Sequence, residues 1–257
     1  MKIAVSGKGG VGKTTVSAAL VNYFALRGDS VYAVDADPDA SLGITLGIDP
    51  QIIAEQVPLI EMKKVIEKKN AGGGALVDLN PDTKDVLDEY SIIKGNVSFL
   101  RMGGVKQGGS ACYCKENSFL QSLLNSLLIE KEEVVVLDMS AGIEHLTRGT
   151  SRGVDLMLVV TEPTLTSVRT SRLVEKLAGE LEVNSLYFIG NKIRDNEEVT
   201  FLEESLPSAK LIGALPFDEK VLSLARGREI EKSTDNAFYK EVDKVMAKIM
   251  GGEVASG

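Results

Sequence analysis

Short apolar segments recur along the chain, and helical patterns separate most of them. The first apolar segment covers residues 2–6, and residues 14–27 follow with apolar side chains spaced along one face of a helix. Further strands are predicted from apolar runs at 31–34, 97–101, 134–137, 155–160, 186–189 and 211–215. Strands that alternate with helices pair in parallel through right-handed crossovers. The pattern therefore predicts an α/β fold with a doubly wound, mostly parallel sheet flanked by helices.

The segment from about residue 50 to 110 departs from this alternation. It contains the turn residues Gly72–Gly74 and Asn80–Pro81 around a charged stretch near Glu61–Lys69 that predicts a helix. The whole chain has 257 residues and 44% hydrophobic composition, enough to bury one large core. We therefore expect residues 1–257 to form a single domain with an excursion at about 50–110.

A glycine-rich loop joins the first predicted strand to the first predicted helix. Residues 7–14 read Gly-Lys-Gly-Gly-Val-Gly-Lys-Thr, which fits the phosphate-loop pattern. Such a loop turns successive backbone N–H groups toward phosphate oxygens, here those of Gly9, Gly10, Val11 and Gly12. Lys13 neutralises the β and γ phosphates, Thr14 offers a hydroxyl to magnesium, and the helix N-terminus adds its positive end. The loop predicts a site for ATP or ADP with Mg²⁺.

Residues 8–15, Lys-Gly-Gly-Val-Gly-Lys-Thr-Thr, resemble the deviant Walker A motif of one ATPase superfamily. Its members include the cell-division site selector MinD, the ParA plasmid partition ATPases and the nitrogenase iron protein. The resemblance implies a P-loop fold and a dimer that sandwiches two nucleotides. It also implies that Lys8 crosses the interface to the partner's nucleotide, and that Thr15 touches the α phosphate. From the residues alone, Lys8 is either such a catalytic group in trans or a solvated surface lysine.

Aspartates follow the second predicted strand, in the sequence Asp35-Ala36-Asp37-Pro38. Hydrolysis needs a group that orients water in line with the γ phosphate, and loops at the carboxyl ends of parallel strands lie in the ligand crevice. The segment resembles the first switch of the superfamily, which makes Asp37 the catalytic carboxylate. Asp35 and Asp39 are alternatives for this role, and Asp39 is also suited to cap the next helix.

Four further positions are assigned by resemblance. Asp138, which ends the strand predicted over 134–137, resembles the second-switch aspartate that holds magnesium through water, and Gly142 then senses the γ phosphate. Asn191 matches the adenine-contacting asparagine. Pro216 lies in a turn that matches the one bordering the base.

The only two cysteines, Cys112 and Cys114, follow the excursion. Two thiolates supply half of a tetrahedral soft-metal site, and a symmetric dimer would supply the other half. Four sulfurs could then hold Zn²⁺, Ni²⁺ or a small iron–sulfur cluster. The spacing alone equally allows a metal-free or redox-sensitive pair. His145, the only histidine, is more typical of a surface or switch residue than of a ligand.

The deviant loop, the Asp-Pro switch and the Cys-x-Cys motif together resemble the nickel-insertion ATPases of carbon monoxide dehydrogenase maturation, the CooC group. The resemblance spans nearly the whole chain, and the cysteine motif is its distinguishing part. It implies a homodimer that binds nickel or zinc at its interface. It further implies that ATP hydrolysis drives delivery of nickel to the apo dehydrogenase.

Charge and composition bear on the rival functions. The net charge of −8 disfavours nucleic acid and anionic membranes as partners, and no signal sequence or long apolar run is present, which predicts a cytoplasmic protein. A partition or positioning ATPase would need a basic patch or a membrane-binding helix, whereas the mixed charges over 236–250 predict packing against the core. An iron–sulfur reductase similar to the nitrogenase iron protein would need a cysteine in the second switch, and residues 138–145 contain none.

Overall fold

A computed structural model describes residues 1–37, 41–62, 83–103, 127, 133–140, 153–183, 185–224 and 236–251. Its strands are β1 (Lys2–Gly7), β2 (Val31–Ala36), β3 (Ile92–Lys94), β4 (Val97–Arg101), β5 (Val134–Met139), β6 (Leu156–Thr161), β7 (Leu186–Ile193) and β8 (Leu211–Pro216). They form one eight-stranded sheet in the order β3-β4-β2-β5-β1-β6-β7-β8. Every pairing except that of β3 with β4 is parallel. The predicted fold class is confirmed.

The antiparallel edge strand β3 was not among the predicted strands. It pairs with β4 through a two-residue turn, with Lys94 opposite Val97 and Ile92 opposite Phe99. Gly95, the first turn residue, has φ 61°, a left-handed value that glycine adopts without a steric penalty. A Gly-Asn pair between two apolar runs is a hairpin signal, so the sequence does contain a local indication of β3.

The helices cover both faces of the sheet. They are α1 (Lys13–Leu26), α2 (Leu42–Thr45), α3 (Pro50–Glu55), α4 (Thr83–Tyr90), α5 (Leu165–Glu180), α6 (Asn196–Ser205), α7 (Glu219–Leu224) and α8 (Ala237–Met250). Side-chain caps fix where several begin: the side chains of Thr164, Asp195 and Asn236 each accept a hydrogen bond from a backbone N–H of the following turn. The helix predicted near Glu61–Lys69 falls largely outside the described residues.

Alternating side chains of the central strands build two cores. Ile3 and Val5 of β1 pack on the face covered by α1 and α8, and Ala4 packs on the opposite face, which α5 covers. All six residues of β1, β5 and β6 are buried, as expected for parallel strands with helices on both sides. The carboxyl ends of β1, β2 and β5 therefore meet at one edge of the sheet, which positions the site. In the described part of the chain, no helix is long and apolar enough to cross a membrane.

Candidate functional site

The phosphate loop leaves β1 under close packing from its neighbours. A Cβ atom at Gly7 would lie 2.3 Å from the carbonyl oxygen of Val160 in β6, so only glycine fits there. Gly12, the N-cap of α1, has φ 95°, and a Cβ atom there would lie 2.4 Å from Nδ2 of Asn191. A side chain at either position would clash with a neighbouring residue, so the loop requires glycine there. These contacts also fix the backbone between β1 and the start of α1.

Two donors of the loop converge on the same oxygen atom. The Val11 N–H donates to the carbonyl oxygen of Lys8 over 3.4 Å, and the Lys13 ammonium reaches that oxygen at 3.4 Å as well. Lys13 is 7% exposed, and its Nζ lies 3.6 Å from Oδ2 of Asp37. The predicted phosphate lysine and the predicted catalytic aspartate are therefore neighbours.

Hydroxyl groups of α1 bind the carboxylate at the end of β5. Thr14 Oγ1 donates to Oδ2 of Asp138 over 2.7 Å, and Ser17 Oγ donates to Oδ1 over 2.9 Å. Thr14 Oγ1 also lies 3.2 Å from Oγ of Ser41. The predicted magnesium pair, Thr14 and Asp138, is thus in direct contact. Ser17 was not predicted, although it follows Thr14 by three residues on the helix and so had to share its face.

Burial controls the electrostatics of two adjacent carboxylates. Asp35 and Asp138 are direct partners across the β2–β5 pair. Burial and then the charge of Asp138 raise the pKa of Asp35 to about 7. Burial raises the pKa of Asp138 to about 6, although hydrogen bonds from Thr14 and Ser17 favour its charged form.

These oxygen atoms fit a magnesium ion. Mg²⁺ prefers carboxylate and hydroxyl oxygens, and a buried carboxylate ionises more readily beside a cation. Thr14 and Asp138 would hold the ion. Asp35 is less suited to orient water, because its Oδ2 accepts from the Leu42 N–H over 2.8 Å and the residue is 1% exposed. Asp37, at 18% exposure, is better placed.

The remaining predicted residues lie around the loop. Lys8 Nζ donates to Thr166 Oγ1 over 3.2 Å at the start of α5. Asn191 is buried beneath the loop, where its Nδ2 donates to the Val11 carbonyl over 2.7 Å. Thr15 lies in the first turn of α1, and Pro216 ends β8 opposite Ile193. The contacts of Asn191 and Pro216 with a base, and of Thr15 with the α phosphate, stay predictions.

Several predicted residues lie outside the described residues: Pro38, Asp39, Cys112, Cys114, Gly142 and His145. The cysteine metal site therefore stays a prediction. Within the described ranges, no cluster of three or more histidine, cysteine, aspartate or glutamate side chains could hold a metal ion.

A glycine loop between strand and helix, a lysine inside it, and a hydroxyl–carboxylate pair at the carboxyl edge of a parallel sheet define a P-loop nucleotide-binding protein. Comparison with known proteins agrees. Residues 2–230 match the family described as the CobQ/CobB/MinD/ParA nucleotide binding domain. The chain belongs to this family, and it is an ATPase.

The chain is also similar to individual proteins of known sequence or structure. The chain is 37% identical to an uncharacterized ATP-binding protein of Methanocaldococcus jannaschii, over 97% of this chain and 98% of the relative. It is 35% identical to the carbon monoxide dehydrogenase accessory protein CooC of Rhodospirillum rubrum, over 86% of this chain and 85% of the relative. Among solved structures, the septum site-determining protein MinD of Pyrococcus horikoshii, complexed with Mg-ADP, superposes with a TM-score of 0.66 over the full length of both chains at 19% identity.

Proposed function

We propose that this ATPase is a homodimeric metallochaperone that delivers nickel to apo carbon monoxide dehydrogenase in the cytoplasm. The observation that carries the proposal is the Cys112-x-Cys114 pair in a chain that is 35% identical to a protein named as an accessory of that dehydrogenase. The relative that is 37% identical is named only for ATP binding. Overall sequence identity therefore does not distinguish a nickel metallochaperone from an ATPase with another role. The proposal depends on the cysteines.

Hydrolysis of ATP uses the residues at the carboxyl edge of the sheet. The Lys13 ammonium is shared between Asp37 and the Lys8 carbonyl. A γ phosphate competes for that ammonium, and the neighbouring Asp37 carboxylate accepts a hydrogen bond from the attacking water. When bound at Thr14 and Asp138, magnesium neutralises charge that develops on the phosphate oxygens. The loop amides stabilise the same charge without reorganising.

The position of Lys8 supports the proposed dimer. Its ammonium is held by Thr166 on the surface beside the N-terminus of α5, rather than inside its own loop. Leu165, the residue next to Thr166, is 69% exposed and offers an apolar contact for a second subunit. We expect ATP to draw two subunits together on this face, with Lys8 transferred from Thr166 to the partner's nucleotide.

Nickel is the cargo of the proposed dimer. Each subunit contributes two thiolates, and four thiolates around the two-fold axis satisfy a soft divalent ion. Zn²⁺ competes for the same donors, so purified protein can carry zinc. Hydrolysis separates the subunits and halves the number of thiolates on the ion, which favours its transfer to the client.

Activation of apo carbon monoxide dehydrogenase by Ni²⁺ tests the proposal directly. We expect wild-type protein with Mg-ATP to accelerate activation, and we expect neither Lys13→Ala nor the double variant Cys112→Ala/Cys114→Ala to do so. The cysteine variant should still bind ADP, because positions 112 and 114 lie outside the phosphate loop at residues 7–14. Acceleration by the cysteine variant equal to that of wild type would refute the thiolate site. Stoichiometric iron and sulfide after anaerobic purification would instead support an iron–sulfur reductase.

A partition or positioning ATPase is the second candidate, because the chain superposes on MinD. The last described helix, α8, argues against it, since its apolar residues Phe238, Val242, Val245 and Met246 are buried in the core. Sedimentation with anionic vesicles and a DNA mobility shift at low salt, each with Mg-ATP, separate the two functions. Binding in either assay would favour the second candidate.

A further inference from the structure

Two consecutive side chains of β7 donate hydrogen bonds to carbonyl groups of the phosphate loop. Asn191 Nδ2 donates to the Val11 carbonyl over 2.7 Å, and Lys192 Nζ donates to the Gly10 carbonyl over 2.6 Å. Lys192 has φ 62°, a left-handed value that costs free energy in a residue with a side chain. The pairing of β7 with β8 is also irregular between Gly190 and Ile193. The backbone is therefore distorted where it presents these two donors.

An acidic side chain fixes the lysine of this pair. Glu162, which directly follows β6, forms a close ion pair with the Lys192 ammonium through Oε1. The backbone of Glu162 is itself anchored, since its N–H donates to Ser167 Oγ over 3.0 Å and its carbonyl accepts from the Thr164 N–H over 2.7 Å. The Lys192 ammonium is thus held between a carboxylate and the Gly10 carbonyl.

Peptide geometry connects these contacts to phosphate binding. In a trans peptide the C=O and the following N–H point in opposite directions, and cis bonds are absent from the described residues. A Gly10 carbonyl held by Lys192 turns the Val11 N–H away from Lys192, and a Val11 carbonyl held by Asn191 turns the Gly12 N–H away likewise. The Val11 N–H in fact donates to the Lys8 carbonyl, the same oxygen that Lys13 Nζ contacts.

We propose that Glu162, Lys192 and Asn191 form a brace that sets the orientation of two loop amides for the phosphates of ATP. Lys192 acts through the loop backbone, so it is a positioning residue. Preset amides stabilise phosphate charge without reorganisation during the reaction, and loss of a single fixed donor in such a site lowers a rate by roughly 10²–10³-fold. Loosening two amides without removing them should have a smaller effect, on the order of tenfold. The inference rests only on ATP hydrolysis and is independent of nickel.

Steady-state ATP hydrolysis and ADP titration of the full chain test the brace. Lys192→Met removes the ammonium, and we expect kcat/KM for ATP and the affinity for ADP to fall about tenfold. Lys192→Arg retains a donor for both Glu162 and the Gly10 carbonyl and should restore most of the loss. Lys176→Met, on the exposed side of α5, is the matched control and should behave as wild type. Lys192→Met values equal to those of the control would overturn the proposal.

Two further variants separate positioning from general stability. Lys192→Gly keeps the left-handed backbone and relieves its strain, so the melting temperature without nucleotide should not fall while ADP affinity falls as in Lys192→Met. Glu162→Gln combined with Lys192→Met should be no worse than Lys192→Met alone, because Glu162 acts through Lys192. Additive losses in that double variant, or ADP affinity retained in Lys192→Gly, would each contradict the brace.

Discussion

Replacement of Asp35 by Asn should make the nucleotide-free protein more stable at alkaline pH. The raised pKa of Asp35 means that the folded protein keeps a proton that the unfolded chain loses between about pH 4 and pH 7. Stability therefore falls as pH rises through that window, and Asn, which does not titrate, removes this fall. The amide oxygen of the introduced side chain can still accept the hydrogen bond from the Leu42 N–H.

The structure sets the size of the effect. A pKa difference of one is worth about 1.4 kcal/mol, so the rise from 3.8 to about 7 costs about 4 kcal/mol above pH 7. Within the described residues, Oδ1 of Asp35 is buried without a hydrogen-bond partner, and an amide NH₂ in its place costs about 2 kcal/mol. The net gain for Asp35→Asn is about 2 kcal/mol at pH 8. At pH 5 the ionisation cost is also about 2 kcal/mol, so the two effects roughly cancel.

Urea unfolding followed by circular dichroism between pH 5 and pH 8, in EDTA and without nucleotide, measures this difference. Asp243→Asn on the exposed side of α8 is the control and should follow the wild-type pH profile. A wild-type profile with the same slope as that of Asp35→Asn would refute the argument that Asp35 is buried beside Asp138. The pair is unfavourable until a cation binds nearby, which is why we connect it to the magnesium site.

Other substitutions probe the loop, the magnesium pair and the proposed interface. Gly12→Ala should abolish measurable ADP binding, because the new Cβ meets Asn191 at 2.4 Å with φ at 95°, and isothermal titration tests this. Ser17→Ala leaves one oxygen of Asp138 without its donor, so the magnesium concentration for half-maximal ATPase should rise about tenfold; an unchanged value would contradict the contact. Lys8→Ala should lower kcat and ATP-dependent dimerisation, measured by size exclusion, more than it lowers ATP affinity.

The sequence predicted seven of the eight described strands and the phosphate loop, because both depend on local patterns. The predicted ends of the strands were less accurate. The strand predicted over 186–189 continues to Ile193, because Gly190 and Ile193 pair with β8 although the residues between them interrupt the regular pairing. Polar residues at the carboxyl ends of strands face the ligand crevice, so their polarity reflects the site rather than a turn.

Other site residues could not be predicted because tertiary contacts alone define them. Lys192 reaches Gly10 across 182 positions of the chain, and Glu162 reaches Lys192 across 30. Neither residue belongs to the phosphate-loop pattern, and a Lys or Glu in isolation is typical of a solvated surface. Asp35 was predicted only as an alternative catalytic carboxylate, and its burial beside Asp138 became evident only from the strand register.

Nickel titration of the purified chain with a slowly hydrolysed ATP analogue, with ADP and without nucleotide tests the central proposal most directly. Sedimentation velocity on the same samples gives the oligomeric state. We predict one nickel ion per dimer, with dimer and bound nickel appearing together in the ATP-analogue sample. Nickel that binds equally to monomers without nucleotide, or no nickel on an ATP-bound dimer, would contradict this prediction.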